Sequence, residues 1–209
     1  MRKILLGVVP MFITFMGQLQ ADLQTDINRA ASMLSDFQIP DHILRNAKGV
    51  VTMKVLKGGF IFSGRIGSGL VVANLKDKWS APSALGIGGA GWGWQIGGKV
   101  TDFVLVLNTQ AALEAFSGGG NVTLGGSLSV AAGPIGRTGE GAIGLPPAAM
   151  FYYGRSKGLF GGASLEGTII AARNGANQTF YKRPVSPREL LSGNVPPPDS
   201  AKNLYRQLP

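Results

Sequence analysis

Glycine constrains this chain more than any other residue, filling 32 of its 209 positions. Each glycine in a helix interior costs about 1 kcal/mol relative to alanine, which argues against a helical bundle and for strands, turns and close backbone approaches. Glycine pairs inside strands mark bulges, sharp bends or places where two backbones or a ligand meet. Trp92 and Trp94 alternate with Gly91 and Gly93, so one face of that strand is bulky and the other bare. A packed core, rather than a membrane interface, is the default place for these two tryptophans.

The length fits one domain with a core that requires no staples. The absence of cysteine excludes disulfides, thiol catalysis and cysteine-ligated metal, and the single histidine, His42, excludes any site built on two. With 44% hydrophobic residues and a mean hydropathy of +0.17 the chain is too apolar for disorder. No apolar run reaches the roughly 20 residues of a membrane-spanning helix.

The N-terminus has the order of a secretory signal. Arg2 and Lys3 precede an apolar stretch over 4–16, then polar residues and Ala21, which predicts export to a periplasmic or secreted location and a mature chain from residue 22. Residues 22–38 form an apolar stripe of Leu23, Ile27, Ala30, Ala31, Leu34 and Phe37 at helical spacing, ended by Pro40. The stripe predicts a helix packed on the body of the same domain, residues 22–209. Apolar, β-branched segments at 50–56, 60–62, 66–75, 100–107, 122–131, 149–153 and 164–172 read as strands, with Lys57-Gly58-Gly59 punctuating the first two. A short helix follows Asn108 or Thr109 as cap and stops at Gly118. Ser186-Pro187-Arg188-Glu189 is a capping box for another, and residues 201–208 allow a last turn or two. The fold class is therefore α+β: a glycine-rich, mostly antiparallel β body, barrel- or sandwich-like, with short flanking helices.

The formal charge is +9, and it is unevenly placed. Residues 22–41 carry four acids against Arg29, while residues 42–183 carry fourteen Lys and Arg against five Asp and Glu. The anionic partner implied by that charge therefore faces the β body rather than the leading helix. Two literal motifs lack the context their chemistry requires. Gly86-Ile87-Gly88-Gly89-Ala90-Gly91 spells a dinucleotide fingerprint, yet no helix opens within it. Gly154-Arg155-Ser156-Lys157-Gly158 spells a nucleophile elbow, yet no histidine follows the serine to act as base. Nucleic acid is not an expected partner, because aromatics are only 8% and no recognition signature is present.

Ten blocks in order resemble one known family. They include Ala47-Lys48-Gly49-Val50, Lys57-Gly58-Gly59-Phe60, Gly64-Arg65-Ile66-Gly67-Ser68-Gly69, Trp79-Ser80-Ala81-Pro82-Ser83, Gly91-Trp92-Gly93-Trp94, Thr101-Asp102-Phe103 and Tyr153-Gly154-Arg155-Ser156-Lys157-Gly158. Over about 39–208 the chain is similar to the SYLF domain, the yeast actin-binding module. That resemblance implies a non-enzymatic module without a cofactor, binding phosphoinositide-type or other anionic lipid, with actin-type or structural protein partners as the alternative. In eukaryotic members a basic helix ahead of the domain is implicated in lipid contact, and this chain departs from that with an acidic one. The basic body is then the place to look, and Lys54, Lys57, Arg65, Lys99, Arg155 and Lys157 are the expected headgroup ligands, lying beside glycines or at strand ends. Each cation near an anionic surface contributes about 1 kcal/mol, so the set gives weak, salt-sensitive attachment.

Overall fold

The computed structural model describes residues 22–118, 122–123, 130–132, 149–158 and 169–209. The export-signal reading of residues 1–21, parts of the strands expected at 122–131 and 164–172, and the side chains of Trp92, Trp94 and Lys157 lie outside that description.

Two long strands organise the chain. β1 (Gly49–Ala73) and β2 (Ser83–Leu107) pair antiparallel from Gly49 opposite Leu107 to Val71 opposite Ser83. Lys57-Gly58-Gly59 does not break β1, as the sequence led us to expect; the strand runs through it, with Gly58 paired to Gly98. The ribbon turns between Phe60 and Phe62, where the register jumps from Ile96 to Trp92 and the extra residues on β2 make a corner. Beyond the corner β2 takes a second neighbour on each half. Its first half pairs with β6 (Ile169–Ala172) and its second with β5 (Met150–Gly158). β3 (Val122–Thr123) extends β6, and β4 (Val130–Ala132) runs parallel to β5. The six strands form one mostly antiparallel sheet that does not close into a barrel.

Because side chains alternate along a strand, the ribbon has two apolar faces. Even-numbered Val50, Leu70, Val72, Ala84, Val104 and Val106 meet helix α1 (Leu23–Phe37), through Leu23, Ile27, Ala30, Met33 and Leu34. Each large aliphatic side chain buried there contributes about 1.5–3 kcal/mol. Odd-numbered Val51, Met53, Val71, Leu85, Phe103 and Leu105 form a second core. It is capped by Leu113 and Phe116 of α3 (Gln110–Ser117) and Leu191 of α5 (Pro187–Leu191). The Asp22 carboxylate accepts the Thr25 N–H at 2.7 Å to start α1, and Gln38, in the left-handed region, ends it. Thr109 caps α3 and Ser186 caps α5, as the sequence predicts. Three further pieces are α2 (Asp41–Asn46), α4 (Asn174–Tyr181) and α6 (Lys202–Tyr205), the last preceded by a 3-10 turn (Asp199–Ala201).

Glycine is indispensable where β1 passes itself. A Cβ on Gly69 would overlap the Thr52 carbonyl oxygen and lie 2.8 Å from Met53 Cα; one on Gly67 would overlap the Lys54 carbonyl oxygen. At Gly58 a Cβ meets nothing within 4 Å. Gly69→Ala is therefore expected to lower unfolding stability by about 3 kcal/mol, because backbone rather than a side chain has to move. Gly58→Ala, in the same strand, is expected to leave it unchanged or raise it by up to about 1 kcal/mol. Urea unfolding of both variants checks the pair, and equal losses would refute the self-crossing.

Candidate functional site

The register divides five of the six cations between the two faces of the sheet. Lys54 on β1, Asp102 on β2 and Arg155 on β5 fall opposite one another across three strands on the even, helix-covered face. Lys54 Nζ lies 3.6 Å from Asp102 Oδ1. Arg155 reaches away from Asp102 to the end of α1. Its Nη2 donates to the Asp36 carbonyl at 3.2 Å, its Nη1 lies 3.8 Å from the Asp36 carboxylate, and its guanidinium covers the Phe37 ring at 5.4 Å. A cation on the last carbonyls of a helix complements the helix dipole, and stacking on an aromatic face adds to it. Lys54 and Arg155 are thus tied to other parts of the protein, Arg155 clamping α1 to the sheet. The Arg155–Asp36 pair is largely exposed and worth at most about 1 kcal/mol, while Lys54 and Asp102 are half-buried.

Lys57, Lys99 and Arg65 share the odd face. Lys57 and Lys99 stand directly opposite each other, a like-charge pairing that disfavours the sheet. Lys99 is buried. Burial, then the charges of Arg65 and Lys99, hold the Lys57 ammonium below its ordinary pKa. The Lys157 backbone pairs with Val100, and its side chain lies outside the described residues.

The two literal motifs are settled by geometry. Gly86–Gly91 is continuous β2 and Gly154–Gly158 is continuous β5, so neither a phosphate-binding helix start nor a nucleophile elbow exists there. His42 is exposed on α2. Among the described residues, no group of His, Cys, Asp and Glu is arranged to hold a metal ion.

One charged group escaped the sequence reading. Asp26, counted with the acidic face of α1, points into the sheet and is 2% exposed. Ser68 Oγ donates to it at 2.8 Å, Arg173 Nη1 at 3.3 Å, and Arg29 Nη1 lies 3.5 Å away. Arg173 reaches it across Gly86, where a Cβ would come within 3.1 Å of the arginine stem. The available signal is positional, since Asp26 sits between Leu23 and Ile27 on the apolar stripe.

Burial raises the Asp26 pKa from 3.8 to about 6, outweighing the Ser68 hydrogen bond and the two guanidiniums. The folded chain then binds this proton more tightly than the unfolded one. Stability from this group is full below about pH 4, falls as pH rises to about 6, and is level above that. Asp26→Asn removes the titration. Relative to that variant, wild type is expected to lose on the order of 2–3 kcal/mol between pH 4 and pH 7. Urea unfolding of both proteins at the two pH values measures it; a relative gain with rising pH would mean that the ion pairs dominate.

Comparison with known proteins places the arrangement. The family described as "Ysc84: Las17-binding protein actin regulator" matches residues 88–209. An SH3 domain-containing protein of Schizosaccharomyces pombe is 47% identical over 91% of this chain and 48% of its own length. The human SH3 domain-containing YSC84-like protein 1 is 44% identical over 90% of this chain and 59% of its own. LAS seventeen-binding protein 3 of Saccharomyces cerevisiae is 45% identical over 89% and 44%. The chain thus spans about half the length of the curated relatives it matches. No solved structure matches it.

Proposed function

This chain belongs to the Ysc84, or SYLF, family, and from that premise we propose that it is a non-enzymatic protein-interaction module of the actin-regulatory kind. The observation that carries the reading is the family match, which begins within β2, the strand that every other long strand pairs with, and continues to residue 209. The family's description names a Las17-binding actin regulator, and one relative is named a LAS seventeen-binding protein. The build of the molecule suits that work: a stiff sheet with a helix clamped on one face offers a preformed surface, which lowers the entropic cost of docking.

A second reading, attachment to an anionic lipid surface, is favoured by one specific feature, the Lys57, Lys99 and Arg65 group on the odd face. Export from the cell, read from residues 1–21, would decide which partner the chain meets; N-terminal sequencing of protein recovered from the producing cell tests it, Asp22 being the expected first residue.

Co-sedimentation with actin filaments and with vesicles containing phosphatidylinositol bisphosphate separates the two readings. The protein-interaction reading expects the chain to pellet with filaments at physiological salt, and with vesicles only at low ionic strength. The paired substitution Lys57→Gln and Arg65→Gln is expected to cut vesicle binding several-fold and leave filament binding within twofold. Failure to pellet with filaments under any salt condition, combined with tight vesicle binding, would reverse the order of the readings.

A further inference from the structure

A second basic feature lies in the loop that joins β1 to β2, where the Asn74 N–H donates to the Lys48 carbonyl just ahead of β1. A groove of about 600 Å³ is bounded by Arg45, Lys76, Lys78, Trp79, Tyr205 and Leu208, with Asp77 as the acidic side chain in its lining and Pro209 beside it. Lys76 and Lys78 are exposed, and among the described residues neither forms an ion pair; Arg45 lies 3.8 Å from Asp41, with both side chains largely in water. Trp79 is buried behind them.

The rim is held in place by hydrogen bonds. Lys76 adopts the left-handed region at φ 74°, rare for lysine, and its N–H donates to Asn74 Oδ1 at 2.9 Å. The Leu75 N–H donates to the Lys78 carbonyl at 2.9 Å, and Asn74 Nδ2 donates to the Arg45 carbonyl at 3.2 Å, joining α2 to the loop. The Tyr205 hydroxyl donates to the Ser80 carbonyl at 2.9 Å, and the Trp79 indole N–H to the Pro209 oxygen at 3.2 Å. A left-handed lysine persists only where its surroundings enforce it, and these bonds fix the backbone that carries Lys76 and Lys78 beside Trp79, Tyr205 and Leu208.

We propose that this groove takes an acidic peptide segment carrying an apolar anchor, its carboxylates on Arg45, Lys76 and Lys78 and its anchor against Tyr205 and Leu208. Charge complementarity selects an acidic occupant, and concavity selects a peptide over a bilayer, because a flat surface touches the rim without filling the groove. The inference rests on the protein-interaction reading and names a site for it.

The test uses the full chain and a fluorescein-labelled peptide with a central Leu-Phe pair flanked by runs of Asp and Glu. Anisotropy is expected to show binding that weakens as salt rises, and no binding of a control peptide with Lys in place of the acids. The double substitution Lys76→Glu and Lys78→Glu, on exposed side chains, is expected to weaken binding at least tenfold with an unchanged melting temperature, and Arg45→Glu to weaken it independently. No peptide binding at low ionic strength, or equal binding by the variants, overturns the proposal. So does a double variant that loses phosphoinositide vesicles while keeping the peptide, which would make the groove a membrane contact. If the peptide fails while the chain still pellets with actin filaments, the groove falls and the protein-interaction reading stands; if both fail, both fall.

Discussion

The passage of β1 across itself at Gly67 and Gly69 is the constraint on which the rest of the structure depends. Without side chains at those positions, residues 67–69 lie against the backbone of residues 52–55, and the long ribbon doubles back instead of running on as an unsupported hairpin. Doubling back creates an even face long enough to seat a fifteen-residue helix and an odd face that α3 and α5 can close. An extended two-stranded ribbon would bury neither face and would be marginal at best.

The same folding separates the charges. A row of Lys54, Asp102 and Arg155 ends on the helix, where Arg155 holds the last carbonyls of α1, while Lys57, Lys99 and Arg65 collect on the opposite side. Asp26 is the counterpart at the other end of α1: a buried carboxylate held by a hydroxyl and two guanidiniums, desolvated enough to resist ionising. Such a group is weak support for stability, and its geometry specifies the depth and rotation at which the helix sits. The helix is thus held by apolar contact along its length and positioned by charge at both ends.

Local chemistry was legible in the sequence and tertiary pairing was not. The stripe from Leu23 to Leu34, the Thr109 cap, the stop at Gly118 and the Ser186 box each depend on residues a few positions apart, and all four are seen. The strand through Lys57-Gly58-Gly59 was missed because glycine favours breaks locally, and only the partner strand decides otherwise. α4 was missed because Asn174–Tyr181 has only Ala176, Phe180 and Tyr181 to pack on the core; buried Asn177 also anchors it, accepting the Ala84 N–H at 2.8 Å and donating to Ser83 at 3.2 Å. The basic body was found by counting, yet which cations share a face follows from parity and register, which the one-dimensional pattern does not carry. The family blocks were readable because they are long and ordered, and they led to the module where no single residue would have.

Hydrogen–deuterium exchange of the whole chain, alone and on actin filaments, tests the central claim most directly: a preformed body docks a protein partner through its exposed basic surface. The account predicts added protection at exposed segments such as α2 and the loop at 74–79, with the paired core of β2 at 103–107 protected equally in both states. Slower exchange in that core on binding would show a body that folds onto its partner, and no added protection anywhere would show that filaments are not its partner; either result contradicts the account.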